Sequence, residues 1–412
     1  MDRFLKNPKG MSPGWAFAVL ASAIFVLGLG VAQARQPSSP LKRLSSKDAL
    51  IVAGPDGRII FSQRETRPCT PASTLKILTG LAAIHYFGPS YRFKTEFYVD
   101  NEQNLKVKGY GDPVLVSEVW QDIADALSTR LQGCRSVVVD DTYFLKDLDI
   151  PGVGSSTNPY DAPNGALCAN FNTVFFKRDR TGRIVSAEPQ TPMTPLARKK
   201  TQSLGVKKGR HTFSHNRHEA ARYAGELLLH HLRGRGFGCQ GGVRAGTVGA
   251  GDRLIYTYRS VFTLEEVVEK MLEFSNNFIA NQLVIALGAH VHGPPGTLAK
   301  GVGVLSDYVQ DVLHLENVDL AEGSGISRKN QLSALDMLSI LRHFEPYRHL
   351  LVRKGRIMYK TGTLRGVRTR AGYMEGDSGD LYYFAIFLNS PHGDIDSILD
   401  YVKKSIDHGD HS

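Results

Sequence analysis

Residues 70–80 read TPASTLKILTG, and how this stretch folds decides the rest. Ser73 stands three positions before Lys76, at the head of an apolar run that continues to Phe87. Thr70 is a good helix N-cap, and Pro71 at the first helical position loses nothing by lacking an N–H. The stretch therefore predicts a helix over 71–87, stopped near Gly88-Pro89. Residues three apart share a helix face, so Ser73 and Lys76 can touch. The first turn surrounds them with unpartnered N–H groups and the positive end of the helix dipole. Positive surroundings and desolvation both lower a lysine's pKa. A neutral lysine can then take the proton of a serine hydroxyl and make it a nucleophile.

S-x-x-K alone decides little. The spacing recurs at Ser39-x-x-Lys42, in a Pro/Ser-rich stretch with no helix to present it. A helix serine beside a snorkelling lysine is the commoner meaning of the pair. Two further triplets change this. Lys360-Thr361-Gly362 ends the strand-like run RIMYK. It offers a fixed cation, a hydroxyl and a position open to close backbone approach, the parts needed to lay a peptide's terminal carboxylate along a strand edge. Ser275-Asn276-Asn277 lies between the amphipathic LEEVVEKMLEF and the apolar FIANQLVIALGAH, where a hydroxyl and an amide can be held rigidly. Other S-x-N copies, at Ser156 and Ser214, fall in turn-rich or basic stretches. In this order and context the three triplets form the set found in penicillin-binding proteins and serine β-lactamases.

The flanking sequence fits an exported two-domain protein. A chain of 412 residues is long for one core and suits two domains. Arg3, Lys6 and Lys9 precede the 18-residue apolar run WAFAVLASAIFVLGLGVA and the small-residue end Ala32-Gln33-Ala34. That pattern describes a signal peptide over 1–34, cleaved before Arg35, with a retained membrane anchor as the alternative. Export excludes nucleic acid as the partner of the net charge of +10, which concentrates in eleven Lys/Arg between Lys177 and Arg217. A solvated loop face is the plain reading of that segment, and peripheral contact with a membrane or anionic polymer the sharper one. Cys69, Cys134, Cys168 and Cys239 allow three full pairings, among which the sequence does not choose. Their spacing matches no zinc pattern, and no metal site is expected.

DALIVAGPDGRIIFSQR reads as a hairpin around Pro55-Asp56-Gly57. From 93 to 257, short strand-like runs such as FKTEFYV, SVVVDD and LIYTY alternate with turn residues, with one helix at 218–233. Helical periodicity returns afterwards, and three strands and a helix close the chain. The expected fold is α/β: an antiparallel sheet flanked by helices, built from 35–92 and 258–412, interrupted by a β-rich inserted domain at 93–257.

The chain resembles the D-alanyl-D-alanine carboxypeptidases/endopeptidases of the class C low-molecular-mass penicillin-binding proteins, peptidase family S13. Besides the triplets, KGYGDPVL, VVVDDTYF, APNGALCANFN, GSGISRKN and KTGTLRGVRTRAGY carry the likeness, which runs from about residue 45 to 405. About 200 residues between Ser73 and Ser275 also fit, since this family carries an insert there. Glu322 departs from the family's usual Asp before GSG, and the insert is shorter than in larger members. The resemblance implies the serine β-lactamase/DD-peptidase fold and an acyl-enzyme on Ser73, with Lys76 as base and Ser275 relaying a proton to the leaving amine. Asn277 would hold the substrate amide and the lysine, Lys360 and Thr361 the terminal carboxylate. Gly362 would admit the neighbouring backbone, and the N–H groups of Thr363 and Ser73 would form the oxyanion hole. It also implies peptidoglycan stem peptides as substrate, β-lactams as covalent inhibitors, a periplasmic location and no cofactor. Two rivals remain: a β-lactamase using Glu316 as its carboxylate, and a wall-binding module with a vestigial site.

Overall fold

The computed structural model describes residues 40–206, 208–391 and 393–408. The expected signal peptide and Ser39 lie outside them. Among the described residues, no helix is long and apolar enough to cross a membrane.

The first sheet is antiparallel and six-stranded, in the order Val352–Lys354, Ile357–Leu364, Val367–Glu375, Leu381–Leu388, Ala49–Ala53, Ile59–Gln63. The hairpin expected around Pro55-Asp56-Gly57 is its N-terminal edge. Alternation along the strands buries both faces. Ala49, Ile51, Ala371, Tyr373, Ala385 and Phe387 join a large core with the helices Lys76–Phe87, Leu264–Glu273, Asn277–His292 and Ala334–Phe344. Leu50, Val52, Met374, Phe384 and Ile386 point the other way, under Ile398, Leu399 and Val402 of the C-terminal helix Ile395–His408. This is the α/β arrangement expected.

A second core gathers Phe97, Trp120, Val137, Phe176, Tyr223 and Leu228. Its five-stranded sheet runs Val243–Ala245, Val137–Asp140, Leu105–Gly109, Lys94–Val99, Arg253–Arg259, with parallel pairings at its Val243–Ala245 end. A three-stranded sheet (Ile184–Ser186, Thr173–Arg178, Lys208–Thr212) adjoins it. The description "β-rich" understates this region, because the helices Ser117–Ser128, Pro195–Gln202 and Arg217–Arg233 pack into it. Ser117–Ser128 is amphipathic, burying Val119, Trp120, Ile123, Ala124 and Leu127 at helical spacing.

The basic segment is only partly a solvated face. Arg217 is buried against Asp141, Arg210 pairs with Glu188, and Lys200 meets Glu219 at 2.6 Å. Lys177, Arg180, Arg183, Arg198, Lys199 and Lys208 stay exposed.

Candidate active site

Ser73 does not open an α-helix. Ala72–Leu75 is a 3₁₀ turn, and the α-helix begins at Lys76. Thr70 caps nothing: its N–H donates to Asn389 Oδ1 (2.8 Å) and its hydroxyl accepts from Gln331 Nε2 (3.0 Å). The reason is the backbone of Ala72, held at φ 48°, which no continuous helix can contain. The tighter turn serves the spacing well. In a 3₁₀ turn residues i and i+3 eclipse, so Ser73 lies directly against Lys76.

Lys76 is fully buried. Its Nζ lies 3.0 Å from Ser73 Oγ and 2.7 Å from both Asn277 Oδ1 and Ser324 O. Burial drives its pKa well below 10.5, the nearby Lys360 adds to this, and Glu322 opposes it. Asn277 is presented by the junction between two helices. Ser275 takes φ 51° after the first, and Asn276 caps the second through Oδ1 to Ile279 N (3.1 Å). Such a left-handed serine costs about 1–3 kcal/mol and persists only where its surroundings fix it.

Lys360 fixes part of those surroundings. Its Nζ donates to Ser275 Oγ (2.9 Å) and to Thr361 O (3.0 Å), and burial lowers its pKa to about 8. The strand that carries it, Ile357–Leu364, is paired along one side by Val367–Glu375. On its other side Val352–Lys354 reaches only Tyr359, so among the described residues the edge from Lys360 to Leu364 has no strand partner. An open edge of this kind is where an extended peptide can add itself.

Gly362 is required here. A Cβ at this position would stand 2.2 Å from Thr369 Oγ1 and 2.8 Å from Ser73 N. Gly325, at φ 80°, is held as closely: its Cβ would meet Ala72 O at 1.9 Å. Thr369 Oγ1 donates to Pro71 O at 2.7 Å, tying strand to turn. The serine turn is thus clamped between two glycines from distant segments.

One group stands out that the triplets do not include. Ser324 O accepts from Lys76, and Glu322 shapes the loop that brings it there. The Glu322 carboxylate accepts from Ser324 N (2.6 Å), Ser324 Oγ (2.6 Å), Gly325 N (2.7 Å) and Asn330 Nδ2 (2.7 Å). The stretch GSGISRKN was visible in the sequence, but nothing local marks a backbone carbonyl as a partner for a distant lysine.

Ser73 opens onto a cleft of about 380 Å³. Ser73, Ser275 and Asn277 line it together with Tyr160, Phe171, Thr173 and Arg210. Glu316 is exposed and is not among the lining residues. The structure brings Ser73, Lys76, Ser275, Asn277, Lys360 and Gly362 together, while Thr361 and Thr363 sit on the open edge with exposed side chains.

This fold and site define a serine hydrolase of the penicillin-recognising type. The D-Ala-D-Ala carboxypeptidase 3 (S13) family model matches residues 44–350 and 347–404, so the chain belongs to that family. It is similar to the D-alanyl-D-alanine carboxypeptidase of Actinomadura sp. (strain R39), 25% identical over 84% of this chain and 78% of that one. Its fold matches the crystal structure of penicillin binding protein 4 (dacB) from Haemophilus influenzae, with TM-score 0.71, 20% identity, and 90% and 98% of the two chains covered. That protein was also solved with a β-lactam; this structure gives TM-score 0.66 and 20% identity, covering 89% of this chain and 97% of that one.

Proposed function

We propose that Ser73 is the nucleophile that cleaves the bond between two D-alanines of a peptidoglycan stem peptide. The observation that carries this is the set of partners around Lys76 Nζ. Asn277 Oδ1 and Ser324 O can only accept, so a neutral amine spends its two N–H bonds on them. Its lone pair is then left facing Ser73 Oγ. That is the orientation a general base needs.

Ser73 Oγ would attack the carbonyl carbon as Lys76 takes its proton. The N–H groups of Ser73 and Thr363 would receive the oxyanion, a contribution of about 3–4 kcal/mol per donor. Lys360 and Thr361 would hold the terminal carboxylate on the open strand edge, next to Gly362. Ser275, bonded to Lys360, would pass a proton to the departing D-alanine amine, while Asn277 holds the substrate amide. Water, or the amine of another peptide, then releases the acyl group. A β-lactam would acylate Ser73 in the same way and leave slowly.

The division into a catalytic domain (35–92, 258–412) and an insert (93–257) belongs to the same proposal; two cores support it, with Phe93, Val114, Phe144, Ile150 and Ala166 of the insert packing into the first and Phe278 into the second. So does export, which rests on the sequence of residues 1–34. The six cations exposed among the described residues from Lys177 to Lys208 would favour contact with anionic polymer or membrane, and salt-dependent retention on sacculi tests that contact.

The protein is expected to bind fluorescent penicillin covalently and to release D-alanine from a pentapeptide stem. Ser73→Ala should abolish both. Labelling that survives in the variant overturns the assignment. Products from cross-linked and monomeric sacculi measure the endopeptidase share.

A further inference from the structure

The four cysteines differ sharply in their surroundings. Cys69 is buried beside the first sheet, with Lys47 O at 3.9 Å. Cys168 is fully buried and donates to Asp112 O at 3.1 Å. Cys134 and Cys239 face each other. They occupy partner positions in a short parallel ribbon, Gly133–Cys134 beside Gly238–Cys239, and their Sγ atoms are in contact at 3.0 Å.

The neighbouring glycines make this approach a built feature. A Cβ on Gly133 would fall 2.4 Å from Gly238 O. One on Gly241 would fall 2.3 Å from Ser136 Oγ and 2.7 Å from Arg135 O. Backbone bonds fix the ribbon at both ends, from Gly238 N–H to Gln132 O (3.1 Å) and from Gly241 N–H to Arg135 O (2.7 Å). Arg233 Nη2 also donates to Cys239 O and Gly241 O, both at 3.2 Å. Cys134 belongs to the second core, whereas Cys239 is only partly buried and can be reached from solvent.

We propose that Cys134 and Cys239 are a dithiol that oxidises to a disulfide in the working protein, while Cys69 and Cys168 stay thiols. The oxidant is another disulfide, carried by a small thiol compound or an exchange protein. The Cys239 thiolate attacks one sulfur of that disulfide, forms a mixed disulfide and releases the first thiol. Cys134 Sγ then attacks Cys239 Sγ, the internal bond forms, and the second thiol leaves. Two electrons and two protons pass from the protein to the oxidant, which ends as two thiols. The two cysteines are 105 positions apart, and the segment between them carries Tyr160, Phe171, Thr173 and Arg210. The bond thus staples the base of the segment that walls the Ser73 cleft. Closing so long a loop removes more freedom from the unfolded chain than closing a short one.

The supply of oxidant rests on the export reading; the pairing itself does not. The full chain is equilibrated in a glutathione redox buffer, quenched in acid, denatured, alkylated with N-ethylmaleimide and mapped by mass spectrometry. The expected result at the oxidising end is two alkylated thiols, at Cys69 and Cys168, and one linked peptide pair containing Cys134 and Cys239. Four alkylated thiols there, or a link to Cys69 or Cys168, overturns the proposal. Oxidation should raise the melting midpoint by roughly 5–10 °C, and the rise should vanish in the Cys134→Ser/Cys239→Ser variant. A rise of equal size in that variant also overturns it. Acid-trapped protein recovered from its own cells should carry the bond, and recovery as the dithiol overturns the claim for the working protein. Penicillin labelling of Ser73 is read in parallel, so the failure of this inference is distinct from failure of the peptidase reading.

Discussion

Two buried cations, one beside each core, are handled in opposite ways. Arg217, 7% exposed, opens the helix Arg217–Arg233 and grips Asp141 with two nitrogens, Nε meeting Oδ2 at 2.9 Å and Nη2 meeting Oδ1. Burial still raises the Asp141 carboxyl, against the pull of Arg217. Lys76, 0% exposed, has no carboxylate within hydrogen-bond reach among the described residues. Its partners are a hydroxyl, an amide oxygen and a backbone carbonyl. A buried cation with a bidentate counterion is held charged and serves as architecture. A buried amine without one is pushed toward neutrality and becomes available as a base.

The sharpest way to break this comparison is Lys76→Met. Removing the proposed base should slow acylation by a β-lactam about 10²–10⁴-fold, read by stopped-flow labelling. The melting midpoint should fall less than in an Arg217 variant, because two neutral acceptors, Asn277 Oδ1 and Ser324 O, lose a donor but no partner charge is stranded. A loss below tenfold would make Lys76 a structural residue like Arg217. Arg217→Met should do the reverse. It leaves Asp141 buried and alone, at a cost of about 3–5 kcal/mol in urea unfolding, while the folded fraction acylates at the normal rate.

Gly362→Ala tests the clamp on the serine turn. The added Cβ would press on Ser73 N at 2.8 Å and displace the oxyanion donor proposed there. A loss of about 3–4 kcal/mol of transition-state stabilisation is expected, with an unchanged circular dichroism spectrum.

The smallest effect concerns pH. Burial lowers the Lys360 pKa to about 8, so the cation proposed to hold the substrate carboxylate is lost as pH rises through that value. Acylation by a carboxylate-bearing β-lactam should therefore fall several-fold as pH rises through about 8. Lys360→Arg should move that descending limb upward, since a guanidinium keeps its charge. On the acid side the rate should rise as Lys76 deprotonates, well below the usual lysine range.

Much of this was legible in the sequence, and what escaped it has common causes. The hairpin at 49–63, the strands carrying RIMYK and LYYFAIFLN, and the helices around Ser275 followed from periodicity and turn residues. Helix Ser117–Ser128 is hard to read from sequence although Trp120, Ile123 and Leu127 have helical spacing, because its turn-rich neighbours read as strands. Local sequence makes Thr70 a cap, but Gln331 and Asn389 claim its polar groups from far along the chain. Those partners lie 261 and 319 positions away, where no local pattern can reveal them.

The sequence by itself determined which chemical groups are available: a serine three residues before a lysine, a polar triplet between two apolar helices, and a cation at a strand end with glycine beside it. Each is a local matter of spacing and side-chain type. Only the tertiary structure decided that Asn277 and Ser324, 201 and 248 positions from Lys76, meet one amine in a place water cannot reach. Protonation depends on everything within a few ångströms of a group, and that neighbourhood exists only once the chain has folded.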